Sequence, residues 1–173
     1  MVHLQLTVEQ QTDFTAWYQQ EHPKIHRALR VIALDEHLAS DATDEAFVRA
    51  LERWSKVGSM DQRGAWVRKV AINLVRRNWR QRGRERRAYE RHGMPEQSHV
   101  DDYLGELLSV MSCLTQRERT AIALRYVLGM TEPEVAEAMR VSAGTVATTL
   151  HRARHKLDSA LAEPIRLPEE VSP

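Results

Sequence analysis

The chain has 173 residues, 42% of them hydrophobic and 28% charged, with one cysteine and a formal net charge of +1. That length suits one ordinary domain or two small helical ones, and the apolar share is enough for cores inside well-solvated faces. No stretch approaches the roughly 20 apolar residues of a membrane span, the opening MVHLQLTVEQQTDF lacks the basic-then-apolar form of a secretory signal, and the lone Cys113 excludes an intrachain disulfide or a multi-cysteine zinc site; a soluble cytoplasmic protein is expected, with Cys113 a small thiol beside a core helix.

From the N-terminus, Phe14, Trp17, Tyr18, Ile25, Leu29, Ile32 and Ala33 recur at helical intervals, with a break expected at His22-Pro23. A second helix over roughly 41–55 places Phe47, Val48, Leu51 and Trp54 on one stripe, and Val57 to Asp61 reads as a short loop. The third helix is the most regular: Trp66, Val67, Val70, Ala71 and Leu74 form its core face. Asn73, Arg76, Arg77 and Arg80 stand at i, i+3, i+4 and i+7 on the opposite side, one polar and basic stripe. Residues 83–103 lose the apolar period and hold Gly83, Gly93 and Pro95, the composition of a flexible linker.

A second unit, 104–162, opens with a stripe of Leu104, Leu107, Leu108, Met111 and Leu114. Thr115-Gln116-Arg117-Glu118 has the form of a capping box and starts a helix carrying Ile122, Leu124 and Val127, ended by Gly129. Thr131-Glu132-Pro133-Glu134 repeats the device before a short helix with Val135, Ala136 and Met139 inward. After a turn at 140–142 a last helix runs to about Leu161 with Val146, Leu150, Ala153 and Leu157 inward, and 163–173 reads as a disordered tail. Two helices, a turn of about three residues and a second helix with polar outer positions make a helix-turn-helix. The fold class expected is all-α: an N-terminal helical bundle over 1–82 and a C-terminal helix-turn-helix, joined by an acidic linker.

Charge is sorted along this frame. Residues 1–62 hold 6 Lys/Arg against 10 Asp/Glu, residues 63–92 hold 11 against 2, and residues 93–118 hold 1 against 5. A block of net +9 suits a polyanion such as nucleic acid, and the acidic front suits a partner with a basic surface. The second helix of a helix-turn-helix fits the major groove. Its outward positions here are Ala143, Thr145, Ala147, Thr148, His151, Arg152 and His155, whose methyls, hydroxyls and guanidinium match base edges and phosphates.

These residues resemble a known family. Leu114-Thr115-Gln116-Arg117-Glu118-Arg119, then Leu124-Arg125-Tyr126, Glu134-Val135-Ala136, Gly144-Thr145-Val146 and His151-Arg152-Ala153-Arg154, look like region four of bacterial RNA polymerase sigma factors. Asp41 to Phe47, then Trp66-Val67 through Asn73 to Arg80, look like sigma region two. The two blocks cover about 14–82 and 104–161 in the family's order, and the lack of intervening domains points to the extracytoplasmic-function (ECF) class.

The resemblance implies a specificity subunit with no catalytic residues, no cofactor and no metal. Its partners would be core RNA polymerase, through the beta-prime clamp helices and the beta flap, and promoter DNA; an anti-sigma factor is allowed as a further partner, and a membrane is not. Asp41, Asp44, Glu45 and Val48 would meet the clamp helices. Ser59, Asp61, Arg63, Asn73, Arg76, Arg77 and Arg80 would read and melt the minus-ten element. Thr145, Ala147, Thr148, Thr149, His151, Arg152 and His155 would meet the minus-thirty-five element. The sequence departs from the family pattern at Asp44, where a glutamine is usual, and at Ala147 and Thr149, where basic residues are common.

Two rivals come from other classes. A plain helix-turn-helix regulator accounts for 104–161 but leaves the basic, tryptophan-rich first unit unexplained. A metal-dependent nuclease would gather Asp41, Asp44 and Glu45 with His22, His26 and His37. The carboxylates equally suit the exposed first turn of a helix, and the histidines match no zinc spacing and read as mostly solvated.

Overall fold

The computed structural model describes residues 6–89 and 110–162, and every regular element among them is a helix. Helix α1 spans Val8–Ala33, α2 Glu36–Glu52, α3 Trp54–Val57 and α4 Arg63–Tyr89. Residues 110–112 are helical; α5 follows as Gln116–Ile122, continues as a π-helical turn over Ala123–Val127, and leads to α6, Glu132–Met139, and α7, Ala143–Ala162. The residues expected at 90–109 and 163–173, among them Leu104, Leu107 and Leu108, lie outside the described residues.

Helix α1 does not break at His22-Pro23: Pro23 sits inside a continuous helix. An internal proline removes one ladder hydrogen bond and costs about 3 kcal/mol. Burial on both sides of it outweighs that cost, with Trp17 one side and Ile25, Leu29 and Ile32 the other. Leu34 then ends α1 in the left-handed region (φ 52°), and Asp35 at once caps α2, its carboxylate accepting from the Leu38 N–H at 2.9 Å.

That cap moves the second helix. It begins at Glu36, so Asp41, Asp44 and Glu45 lie in its second and third turns and not the first. Its buried face is also not the expected one: Leu38, Ala39, Ala42, Ala46, Phe47 and Ala50 point inward, while Val48 is 49% exposed and Leu51 is half-buried. The alanines let α2 lie close against α1 and α4. Around them Phe14, Trp17, Tyr18, Phe47 and Trp54 pack ring against ring, edge to face for Phe14–Trp54 with centroids 4.9 Å apart and tilted for Trp17–Phe47 at 5.1 Å. Gly58 is required just after α3, because a Cβ there would meet the Trp54 carbonyl oxygen at 2.8 Å.

Helix α4 buries Val67, Ala71, Ile72 and Val75 and leaves Trp66, Val70 and Leu74 half-buried. It runs through Gly83 to Tyr89, so the Arg-rich start of the linker segment is helical.

In the second unit both capping devices form. The Thr115 N–H donates to Glu118 Oε2 at 2.8 Å while Thr115 Oγ1 accepts from the Glu118 N–H at 3.3 Å. At α6 the Glu134 carboxylate accepts from both the N–H and the hydroxyl of Thr131, each at 2.7 Å. The π turn closes where the Leu128 N–H donates to the Ala123 carbonyl at 3.0 Å, and Gly129 (φ 66°) reverses the chain as expected. Cys113 is exposed in the turn before Leu114, not packed beside a core helix.

The two units are docked. The C-terminal half of α1 packs on α5 and the π turn, and Arg119, 9% exposed, ties them together. Its Nε donates to the Ile32 carbonyl near the end of α1 at 3.2 Å and its Nη1 to the Leu114 carbonyl at 2.6 Å. A helix C-terminus is the favourable place for a cation, and two carbonyl acceptors offset the desolvation that lowers the Arg119 pKa.

Glu118 links α5 to α7, accepting from Lys156 Nζ at 2.8 Å. Burial alone raises its carboxyl, but the bonds from Lys156 and Thr115 outweigh that and leave it below its ordinary value. A depressed folded-state carboxyl contributes stability that is present above the unfolded pKa and lost as pH falls through the folded one. The second unit is therefore expected to lose thermal stability below about pH 4.3, the unperturbed Glu value, and Glu118→Gln to remove that part of the acid dependence. Circular-dichroism melts of both proteins across pH 3–7 check this; parallel acid profiles would contradict it.

Candidate nucleic-acid interface

On α2 the residues expected to meet a protein partner form one exposed stripe: Asp41, Asp44, Glu45 and Val48, at i, i+3, i+4 and i+7. Asp41 has no ionic or hydrogen-bond partner among the described residues. Among the described residues Glu45 pairs only with Arg49, one turn on, at 2.8 Å. Asp44 is held: His22 Nε2, packed between the Tyr18 and Phe47 rings, lies 2.8 Å from its Oδ1. His26 likewise lies 3.1 Å from Glu36. These two histidines are half-buried and paired, not solvated as expected, while His37 is exposed. No group of histidine, cysteine or carboxylate side chains among the described residues converges as a metal site.

On α4, Asn73, Arg77 and Arg80 are exposed and Arg76 is half-buried. Burial, together with the nearby Arg140 and Arg80, pulls the Arg76 guanidinium below its ordinary range. Arg80 Nε donates to the Arg76 carbonyl at 3.3 Å, so the side chain runs back along the helix. The loop before α4 holds Ser59 and Asp61, both exposed; the Ser59 hydroxyl bonds the Lys56 carbonyl at 2.9 Å. Arg63 is turned the other way. Its Nη1 is shared by both Asp13 oxygens, at 3.1 and 2.9 Å, and its guanidinium lies over Trp17 and Trp54 at 5.7 and 5.5 Å. In this state it pins α4 to α1.

On α7, Ala147, Thr148, His151, Arg152 and His155 are exposed and Thr145 is half-buried. Ser142 Oγ accepts from the Thr145 N–H at 3.2 Å and lies 2.8 Å from its hydroxyl, fixing the start of the helix. Thr149 is more buried than its neighbours, 9% exposed, with its hydroxyl donated to the Thr145 carbonyl at 2.7 Å, and it borders a surface cleft with Thr145, Thr148 and Arg152. Position 147 is the open one, and Ala147→Arg is expected to tighten duplex binding and steepen its salt slope by about one unit, as one added phosphate contact does. Gel-shift titrations at several salt concentrations check this; unchanged affinity and slope in the folded variant would place position 147 away from the backbone.

Sequence reasoning missed Arg119, which helps dock the units, Arg84, which extends the α4 stripe, and Arg117 and Arg140, which face that stripe from the second unit. No local pattern marks a guanidinium that will bond a carbonyl 87 residues away.

Comparison with known proteins places both units. The Sigma-70 region 2 family model matches residues 17–85 and the Sigma-70 region 4 model matches residues 104–157. The chain is 30% identical over 155 residues to an RNA polymerase sigma-E factor of Streptomyces avermitilis, covering 86% of this chain and 85% of that protein. It is 28% identical to the ECF RNA polymerase sigma factor SigE of Mycolicibacterium smegmatis, over 83% of this chain and 60% of that one. Among solved structures, the sigma factor RpoE of Bartonella quintana, in complex with the anti-sigma factor NepR, shares the fold with a TM-score of 0.71 at 22% identity, over 87% of this chain and 97% of that one.

Proposed function

The chain belongs to the sigma-70 family, in its ECF group, and on that premise we propose that it binds core RNA polymerase through the exposed stripe of α2 and melts promoter DNA with α4. Members of this family act in transcription initiation as promoter-specificity subunits, so the chemistry of RNA synthesis is the polymerase's. The observation that carries the proposal is the α4 stripe: Asn73, Arg76, Arg77 and Arg80 on one side of a helix, with no carboxylate partner for these arginines among the described residues. A cation without a counter-ion is ready to displace the ions around a phosphate backbone, and an amide beside it can read an exposed base edge.

In this reading Asp41, Asp44, Glu45 and Val48 dock on the beta-prime clamp helices, with Asp44 oriented by His22. Ser59 and Asp61 sit beside the melted strand, and Arg63 joins them only by leaving Asp13. Thr145, Ala147, Thr148, His151, Arg152 and His155 meet the minus-thirty-five element, and the first helices of region four meet the beta flap. The domain division at 82 and 104 follows the same logic. An anti-sigma factor is a natural further partner, since the Bartonella relative is seen in complex with one. No described helix is long and apolar enough to cross a membrane. Permanganate footprinting of a promoter complex with core enzyme tests the proposal: reactive thymines in the minus-ten element are expected only when the chain is present, and their absence in a complex that still forms would refute melting by α4.

A further inference from the structure

Helix α4 and the helix-turn-helix face each other across a cleft of about 1170 Å³. Arg76, Arg77, Arg80 and Arg84 stand on the α4 wall; Arg117 of α5 and Arg140 at the end of α6 stand on the other. No aspartate or glutamate lines the cleft among the described residues, and none of these six guanidiniums is ion-paired there. Docking therefore gathers like charges that repel. Arg140 adds a second sign: it ends α6 in the left-handed region, φ 57°, where glycine is the relaxed choice. The chain keeps a cation at the one place in the turn where an uncharged glycine would be less strained.

We propose that this cleft binds a single-stranded nucleic acid, gripped by arginines of both units at once while they are docked. Arginines four apart on α4 stand about 6 Å apart along the axis, a repeat commensurate with the phosphates of an extended strand. Trp79, half-buried on the same wall, offers a ring for base stacking, and Asn73 an amide for a base edge. An acidic polypeptide would neutralise the charge but leave Trp79 and Asn73 without a use. The volume is at or above the range of about 300–1,000 Å³ of clefts that enclose a drug-sized ligand, room for a few nucleotides. The inference rests on the promoter reading for the α4 arginines and adds Arg117 and Arg140, which that reading does not use. A strand that bridges both walls also stabilises the docked form.

The test is fluorescence anisotropy of the full chain with labelled 12-nucleotide single-stranded DNA and RNA, titrated with salt, and with poly-glutamate as competitor. Arg117→Ala with Arg140→Ala should reduce the salt slope by about 1.4 units, 0.7 for each lost phosphate contact on a single strand, and weaken binding about ten- to thirty-fold at 0.1 M salt. Trp79→Phe should retain binding and Trp79→Ala should weaken it, with folding checked by circular dichroism. The two strands tell which nucleic acid is preferred. Wild-type affinity and slope in the folded Arg117/Arg140 variant would overturn the cleft, as would poly-glutamate competing equally at equal charge, or no binding by the wild type. Promoter melting with core enzyme is read separately, so its success alongside any of those results would leave the polymerase reading standing and the cleft refuted.

Discussion

Asp41→Arg combined with Glu45→Arg is expected to abolish copurification with core polymerase while leaving the fold intact. Both side chains are exposed on the α2 stripe; among the described residues Asp41 has no partner and Glu45 has only the half-buried Arg49. An exposed i,i+4 pair contributes about 0.3–0.5 kcal/mol, and neither residue sits in the first turn, where the helix dipole would add to it. Like charges brought together across an interface cost several kcal/mol each, and every 1.4 kcal/mol is about tenfold in affinity, so two reversals remove binding at working concentrations. Asp44 is left alone because its bond to His22 mixes a packing effect into the result. A folded double variant that still brings down core enzyme would contradict the assignment of this face.

Removing Arg76, Arg77 and Arg80 together, each to alanine, is expected to suppress open-complex formation and flatten its salt dependence by about 2 units, at about 0.7 per phosphate contact on a single strand. The loss is not one of folding. Arg80 and Arg77 are exposed, and Arg76 is held among burial and like charges that its removal relieves. Asn73→Ala should behave differently, changing which minus-ten sequences are opened, since an amide reads base edges and carries no charge. Salt-dependent open-complex rates check both. If the triple variant matches the wild type at every salt concentration, the stripe is ordinary solvated surface.

Signals that are local in sequence were legible and those made by tertiary packing were not. Thr115-Glu118 and Thr131-Glu134 could be read as helix starts because each box closes its hydrogen bonds within four residues. Gly129 could be read as a stop because its positive φ is a local demand. The start of α2 was hidden: Leu34 takes the left-handed position with no glycine to announce it, and the alanine face of α2 gives little hydrophobic contrast. Pro23 misled because the rule against internal proline is outweighed here by the aromatic and aliphatic burial around it. Position in a motif points Thr149 and Arg63 at DNA, but Thr149 satisfies its hydroxyl on its own helix and Arg63 is held by Asp13 and two tryptophans. The docking of the two units combines apolar packing of α1 on α5 and the π turn with a buried guanidinium on a distant carbonyl, relations that no periodicity encodes.

The central claim is that this chain directs polymerase to promoters, and run-off transcription with purified core enzyme and a library of upstream DNA tests it most directly. The account predicts transcripts from a subset of templates sharing minus-ten and minus-thirty-five elements, dependent on the added chain and lost with the Asp41/Glu45 variant. Transcription no greater than that of core enzyme alone, from a folded chain that still binds the same duplexes, would contradict it and return the helix-turn-helix regulator as the better reading.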